Sequence, residues 1–403
     1  MAHVVVMVTS SYPRFPGDGI GSFVEPIAKG VAARGHEVHL VAPWDPAIRR
    51  PAEEDGVRFH FYKYAPVRSL NVFGYAGGLR ADTTLRGAAW MAAPFAMAAG
   101  WWAANRVART HHATVMHGHW VIPGGVVAAY ARPSVPLVVS LHGSDVFVAE
   151  RNWIARQAAR AAFRRAGWIT ACSDDLRTRA IAIGAKADRI ETVPYGVDAV
   201  RFRPDPDARR TIRQELGIGE APLVVSAGRL VSKKGFAYLI DAAHLLRDVS
   251  GLTVAIAGDG DLRDDLTARA ASSGGRVRMI GNRSQDDIAR LCAAADVIAV
   301  PSIRDDAGNV DGLPNFALEA LASGTPVVAS RAGGLPQAID DGRTGRLVAE
   351  RDAAALASAI RALLERPDDG HRFGAAARAE VINRFGWAEA AARFESAYAR
   401  AHR

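Results

Sequence analysis

Two successive series of short apolar runs, each run followed by a longer stretch of helical periodicity, account for most of the chain. In the first series "HVVVMVTS", "HEVHLVAP", "VRFHFYKY", "TVMHGHW", "PLVVSLHG" and "GWITACS" are rich in β-branched residues and bounded by turn formers, which predicts strands. "SFVEPIAKGVAARG", between the first two, has apolar residues at helical spacing and predicts a helix stopped by Gly35. The second series supplies "APLVVSAGR", "LTVAIAGDG", "RVRMIGN", "DVIAVPS" and "TPVVAS". Each is apolar almost throughout, as strands buried on both faces of a parallel sheet must be. This alternation predicts an α/β protein of two doubly wound, Rossmann-like domains, with ligands outside the carboxyl ends of the strands. The join is expected in "YGVDAVRFRPDPDARR", where prolines and charges break the pattern, giving domains over 1–200 and 201–384. A last amphipathic stretch, 385–403, has no strand after it and caps one of the two.

Length, composition and charge narrow the picture. At 403 residues the chain exceeds one ordinary core, and 49% hydrophobic with 23% charged residues is the profile of a soluble globular protein. Cys172 and Cys292 lie far apart and offer neither a disulfide framework nor a metal spacing, which favours a reduced, cytoplasmic compartment. "MAHVVVMVTSSYPRFPGDG" lacks a basic leader and reads as a first strand, not a signal peptide. Residues 1–200 hold 22 Lys and Arg against 15 Asp and Glu, whereas 201–403 hold 28 against 27. The basic excess is therefore N-terminal: either a solvated surface or attraction to an anionic membrane or acceptor. No nucleic-acid partner is expected. "GAAWMAAPFAMAAGWWAANRVA", 87–108, falls just short of the ~20 apolar residues of a membrane span. With Pro94 inside it and Arg86 and Arg106 beside it, the segment reads as a buried or interfacial helix, and in the second case as a peripheral membrane contact.

The chemistry concentrates in "DGLPNFALEALASGTPVV", Asp311 to Val328. Pro314 suits the first position of a helix and Gly324 its stop, and the helix between them is apolar on nearly every side. A carboxylate on such a helix needs a partner, so Glu319 is either half of a core ion pair or a ligand contact. Asp311 reads most simply as a helix cap. The helix follows a strand, which puts its N-terminus at the sheet's carboxyl edge, where an anion can bind. "VVSAGRLVSKKGF" places Arg229 and Lys234 beyond another strand, and together they fit a diphosphate. "GDGIGS" is not the dinucleotide fingerprint, since prolines precede it and the second strand ends without the ribose-binding acid. "AGDGDL" is only a glycine turn. His142, Gly143 and Asp145 leave a strand in "SLHGSDVF", where the histidine either faces the crevice or is a satisfied structural residue. His111, His112, His117 and His119 have no acid or cysteine beside them, so no metal site is expected.

"AGRLVSKKGF", "DVIAVPS" and "DGLPNFALEALASGTPVVASRAGGLPQAI", with "WVIPGG", "SLHGSDV", "ACSDDL" and "VPYGVD" upstream, resemble in order the retaining nucleotide-sugar glycosyltransferases of family four. The resemblance covers nearly the whole chain. It implies the GT-B fold: two Rossmann-like domains facing across a deep cleft, an acceptor domain first and a sugar-nucleotide domain second, with the last helix, within 385–403, crossing back to the first. The family's E-x7-E motif falls on Asp311 and Glu319, with aspartate in place of the first glutamate. By that match Glu319 takes the ribose hydroxyls and Asp311 the transferred sugar, near the backbone of Leu313, Pro314 and Asn315. Arg229 and Lys234 take the diphosphate, Gly19 and Gly21 approach it, and His142 stands beside the sugar. The donor is expected to be a UDP- or GDP-sugar, transferred with retention, without metal and without a further cofactor. The bulky stretch near 70–105 and the basic N-terminal half point to a lipid-linked or polysaccharide acceptor in envelope or exopolysaccharide assembly, small acceptors also being known. A sugar-nucleotide epimerase of the same fold, or an exported two-lobed sugar-binding protein, are the alternatives.

Overall fold

A computed structural model of the chain describes residues 2–65, 71, 73–75, 79–80, 84–85 and 87–402. Arg86 and, of the stretch near 70–105, residues 70, 72, 76–78 and 81–83 lie outside them. Two units are formed, one by Met1–Pro194 with Trp387–Arg403, the other by Tyr195–Gly386. The break precedes residue 200 because the following segment pairs into the second unit: Val197 N–H donates to Phe385 O at 2.8 Å and bridges Gly386.

In the first unit the strands are β1 (Val4–Val8), β2 (Glu37–Pro43), β3 (Glu53–Glu54), β4 (Val57–Tyr62), β5 (Leu79–Arg80), β6 (Thr84–Leu85), β7 (Val115–His119), β8 (Leu137–Leu141), β9 (Trp168–Ala171) and β10 (Ile190–Thr192). Their main sheet runs β10-β9-β8-β7-β1-β2-β4-β3, parallel except for the edge pair β3/β4, while β5 and β6 pair with each other. Val5 lies in register with Val38 on one side and Val115 on the other, so the central strand is walled by β-branched residues. Helix α1 (Val24–Ala33) buries Val24, Ile27, Ala28 and Val31 against this sheet and stops before Gly35, whose φ of +88° a side chain would disfavour. Helix α2 (Gly87–Thr110) runs through Pro94, and α3 (Ser144–Arg151) follows β8.

The second unit comprises β11 (Leu223–Ala227), β12 (Thr253–Ala257), β13 (Val277–Gly281), β14 (Val297–Val300), β15 (Val327–Ser330) and β16 (Arg346–Val348), in the all-parallel order β13-β12-β11-β14-β15-β16. Its helices include α4 (Phe236–Leu245), α5 (Gln285–Ala294) and α6 (Asn315–Ala322). The last helix, α7 (Trp387–Ala401), returns to the first unit, where Phe394, Ala397 and Tyr398 join the core built on β1 and α1.

Both sheets reverse direction at a central strand, β1 with β7 in the first unit and β11 with β14 in the second. At such a reversal the chain continues to opposite faces of the sheet from the two neighbouring strands, which leaves a crevice at the carboxyl edge. Every strand predicted from the apolar runs is present. The unpredicted β10 and β16 are edge strands of three residues each, carrying Glu191 and Arg346, so neither shows a long apolar run.

Candidate active site

At the β11/β14 reversal two loops meet. The loop after β11 carries Arg229, exposed, then a short turn over Ser232–Lys234 and Gly235 at φ +66°. A side chain at Gly235 would lie 1.9 Å from the carbonyl of Pro301, just past β14, so the close contact of these two loops requires glycine. Gly258 is as tight, since its Cβ would lie 1.9 Å from Gly228 O. The "AGDGDL" turn thus shapes the loop that carries Arg229, a role its sequence did not reveal.

Asp311 is the focus of this crevice. Lys234 Nζ lies 2.8 Å from its Oδ2, Lys233 Nζ 3.3 Å from its Oδ1, and Ser302 Oγ donates to Oδ2 at 3.3 Å. Burial pushes the carboxyl up, but Lys234 and Lys233 outweigh it and hold it at about 2. The side chain is therefore ionised and spoken for, and it does not cap α6, which begins without any side-chain cap. Pro314 is the residue preceding the helix, and Asn315 is its first residue, one position later than the sequence predicts. Open N–H groups at that end, with Lys234, Ser302, Pro314 and Phe316 lining a small cavity beside it, form an anion-accepting corner. Asn315 Oδ1 is buried there without a partner. Leu313 is buried next to it.

Glu319, one turn into α6, is half-buried. Burial drives its carboxyl up to about 7, against the weaker opposing effects of a Gln285 side-chain hydrogen bond and the charges of Lys234 and Arg201. Among the described residues no ion pair holds it. Of the two readings left open by the sequence, a core ion pair is the one the geometry removes.

The β1/β7 reversal in the first unit builds a different environment. Its loop after β1 is folded on Asp18, which accepts from Arg14 Nε at 2.7 Å and from the backbone of Arg14 and Ile20. Gly21 sits at φ +67°, with its Cβ position 3.1 Å from the Ser11 backbone, whereas the Cβ position of Gly19 faces open space. His142, after β8, packs its ring against Phe23 at 4.6 Å and Trp120 at 4.8 Å, and its Nε2 meets His119 Nδ1 at 3.1 Å. Asp145 fixes the turn by accepting from Val121 N–H at 2.6 Å and Gly143 N–H at 3.0 Å. Burial, with His119 nearby, keeps the His142 imidazole well below its ordinary value, so it is neutral at physiological pH. Gly124 of "WVIPGG" lets the chain pass, since its Cβ would lie 2.2 Å from His119 O. The sequence singles out Lys234 but not Lys233, gives no role to Ser302, Gln285 or Trp120, and shows His119 only in a run of histidines and not beside His142. Only the doubled lysine of "SKKG" and the serine ending "DVIAVPS" offered a signal.

Two doubly wound units, each with polar groups gathered at the reversal of its sheet, define a protein of the GT-B class. Its fold matches that of the Anabaena protein HepE solved with UDP, at a TM-score of 0.77 over 98% of each chain and 23% identity. Residues 208–380 match the family described as Glycosyl transferases group 1, and residues 18–196 that described as Glycosyl transferase 4-like domain. The chain is 31% identical over 401 residues, 96% of each protein, to a GDP-mannose-dependent alpha-(1-6)-phosphatidylinositol monomannoside mannosyltransferase of Mycobacterium tuberculosis. It is likewise 31% identical over 408 residues, 95% of this chain and 92% of the relative, to a D-inositol 3-phosphate glycosyltransferase of Xylanimonas cellulosilytica. The chain belongs to the family-four glycosyltransferases. Neither an epimerase nor a sugar-binding protein is needed to account for it.

Proposed function

We propose that this glycosyltransferase moves a hexose from a nucleoside diphosphate sugar to a hydroxyl acceptor with retention of anomeric configuration and without a metal ion in the reaction. The observation that carries this reading is the assembly at the β11/β14 reversal: two lysines gathered on Asp311, an uncapped helix end, and, at Glu319, a half-buried acid that meets Gln285 but no ion-pair partner among the described residues. Glu319 takes the ribose diol, because a carboxylate accepts two hydrogen bonds from it. Lys234, Lys233 and Arg229, with the first N–H groups of α6, meet the diphosphate. As the anomeric carbon–oxygen bond breaks, negative charge grows on that diphosphate, and fixed cations stabilise it without reorganising. The acceptor hydroxyl attacks from the face the phosphate leaves, and its proton passes to the departing phosphate oxygen. Asp311 holds hydroxyls of the transferred sugar. The neutral His142, with its neighbouring carbonyl, and Gly19 and Gly21 are assigned to the sugar and the phosphates by their family positions.

GDP-mannose is the first donor to test, since the mycobacterial relative is named for it, with UDP-glucose and ADP-glucose beside it. The expected result is a rise of several degrees in melting temperature with one of them, and a product whose anomeric proton couplings match those of the donor. No response to any nucleoside diphosphate sugar overturns the reading.

We infer further that the acceptor is lipid-linked and met at an anionic membrane surface. Among the described residues no helix is long and apolar enough to cross a membrane. Helix α2 instead turns its small residues, Ala96, Gly100, Ala103 and Ala104, inward and its large ones outward: Met91, Phe95 at 67% exposure and Trp102 at 59% form one stripe that continues into Arg106. Such a stripe suits the headgroup boundary of a bilayer. The full chain is expected to sediment with anionic vesicles at low salt, and a Phe95→Ser, Trp102→Ala double variant to bind roughly 10-fold or more weakly through lost apolar burial. Absence of sedimentation at every salt concentration counts against the membrane reading.

A further inference from the structure

We propose that His39, His60 and His111 form a binding site for a divalent transition metal, with Zn²⁺ the first candidate. Among the described residues these three bring one ring nitrogen each within 4.8 Å of one another. They come from three separate elements: His39 from the middle of β2, His60 from β4 two residues beyond Arg58, the register partner of His39, and His111 from the residue just past the end of α2. No sequence spacing announces them, which is why the run His111, His112, His117 and His119 drew attention to the wrong partners.

His39 Nδ1 and His60 Nε2 lie 3.0 Å apart, and the rings of His39 and His111 stack at 3.9 Å between centroids. Two imidazole nitrogens on a tetrahedral zinc stand ~3.3 Å apart, given bonds of about 2.0–2.1 Å. The His39–His60 pair is thus already at ligating separation, and a ring nitrogen of His111 lies within 4.8 Å of both, so its ring has to turn out of the stack on His39 to converge with them. The outer partner of a metal-bound histidine is present as well: His39 Nε2 meets Glu37 Oε1 at 3.0 Å. With Nε2–H donating to that carboxylate, the lone pair of His39 is on Nδ1, pointing at His60. Metal entry replaces the His60 Nε2–H donor, whose proton moves through solvent to Nδ1 of the same ring.

His39 is buried and the other two rings are partly exposed, which leaves an entry path and room for a water as the fourth ligand. Arg58, a cation that acts on the group, is paired with Glu37 at 2.5 Å and Glu53 at 3.0 Å. Three imidazoles with a carboxylate behind them select Zn²⁺, Co²⁺, Ni²⁺ or Cu²⁺ over Mg²⁺ and Ca²⁺. The site lies within the first unit, whereas the donor-side residues at β11/β14 belong to the second. A bound ion would tie the end of α2 to β2 and β4, and so fix the helix that displays Phe95 and Trp102.

The test uses the untagged full chain, stripped with a chelator, titrated with Co²⁺ followed by visible absorption and with Zn²⁺ followed by calorimetry. One equivalent per chain is expected, with a tetrahedral Co²⁺ spectrum and slower amide exchange over residues 100–111. His111→Ala and His60→Gln should each weaken binding by at least ~100-fold, and Glu37→Gln by ~10–100-fold, the usual cost of an outer partner. His36→Gln, in a separate histidine group, should leave binding unchanged. His111 and Glu37 are not core residues, so both variants retain the fold. Absence of a stoichiometric site, or binding that survives His111→Ala and His60→Gln, overturns the proposal, as does its loss in His36→Gln.

Discussion

Glu319→Gln is expected to weaken nucleotide-sugar binding by roughly 100-fold or more, the loss of two hydrogen bonds to a charged acceptor, while making the folded protein more stable at alkaline pH. The second half follows from the carboxyl's own titration. Its folded value of about 7 stands above its ordinary 4.5. Below the lower value both folded and unfolded states are protonated, and burial costs nothing. Between the two, rising pH ionises the unfolded chain while the folded acid keeps its proton, so stability falls. Above the upper value the full cost persists, at most roughly 3 to 4 kcal/mol for such a difference. Glutamine keeps the shape and removes the charge. Chemical denaturation of both proteins at about pH 8 and about pH 5 should therefore show the variant ahead at the higher pH and level with wild type toward the lower. A core ion pair predicts the reverse, with the variant less stable at the higher pH. Wild-type affinity for the donor should also climb as pH passes the Glu319 titration, because the ionised form is the better acceptor for a diol, and the variant should lose that dependence. A variant that binds the donor normally returns Glu319 to a structural role.

Much of this was legible in the sequence because parallel strands buried on both faces leave long apolar runs, and because loops at their carboxyl ends collect glycine, charge and helix starts. Arg229, Lys234, Asp311 and Glu319 could be placed at one edge of one sheet from those runs alone. Three kinds of feature could not. Edge strands such as β16 have one paired side and three residues, too few to show a period. Partnership across sequence distance was also hidden: Asp311 looked like a helix cap because caps are local, yet its partners Lys233 and Lys234 come from the loop beyond β11. The third kind is environment. Glu319 was recognisable as an acid in an apolar helix, but whether a cation faced it depended on packing from α5 and the loops around it. The His39, His60 and His111 group combines all three, being drawn from two strands and a helix end with no motif in common.

Lys234→Ala and Asp311→Asn touch the same ion pair, at 2.8 Å, and are expected to part company in function. Removing Lys234 takes a fixed cation from the leaving diphosphate, for which a fall of about 10²–10³-fold in kcat/KM is the usual scale. It also leaves Asp311 with Lys233 alone. The Asp311 carboxyl, held at about 2 against its ordinary 3.8, contributes stability above the ordinary value that is lost as pH falls through the lower one. Without Lys234 its folded value rises toward the ordinary one, so the acid-unfolding midpoint should move to higher pH. Asp311→Asn acts oppositely on the nucleotide. In the unliganded protein the carboxylate competes with a diphosphate for both lysines. With that competitor neutralised, affinity for the bare nucleoside diphosphate should hold or increase, and product inhibition should strengthen accordingly. Transfer should nevertheless drop by about 10²-fold, because the sugar loses an acceptor for its hydroxyls while the diphosphate keeps its clamp. Calorimetry with the nucleoside diphosphate and steady-state kinetics with the intact donor separate the two effects. If Asp311→Asn loses nucleotide affinity as Lys234→Ala does, the aspartate serves only to hold the lysines in place, and the sugar contact must come from elsewhere in the loop before α6.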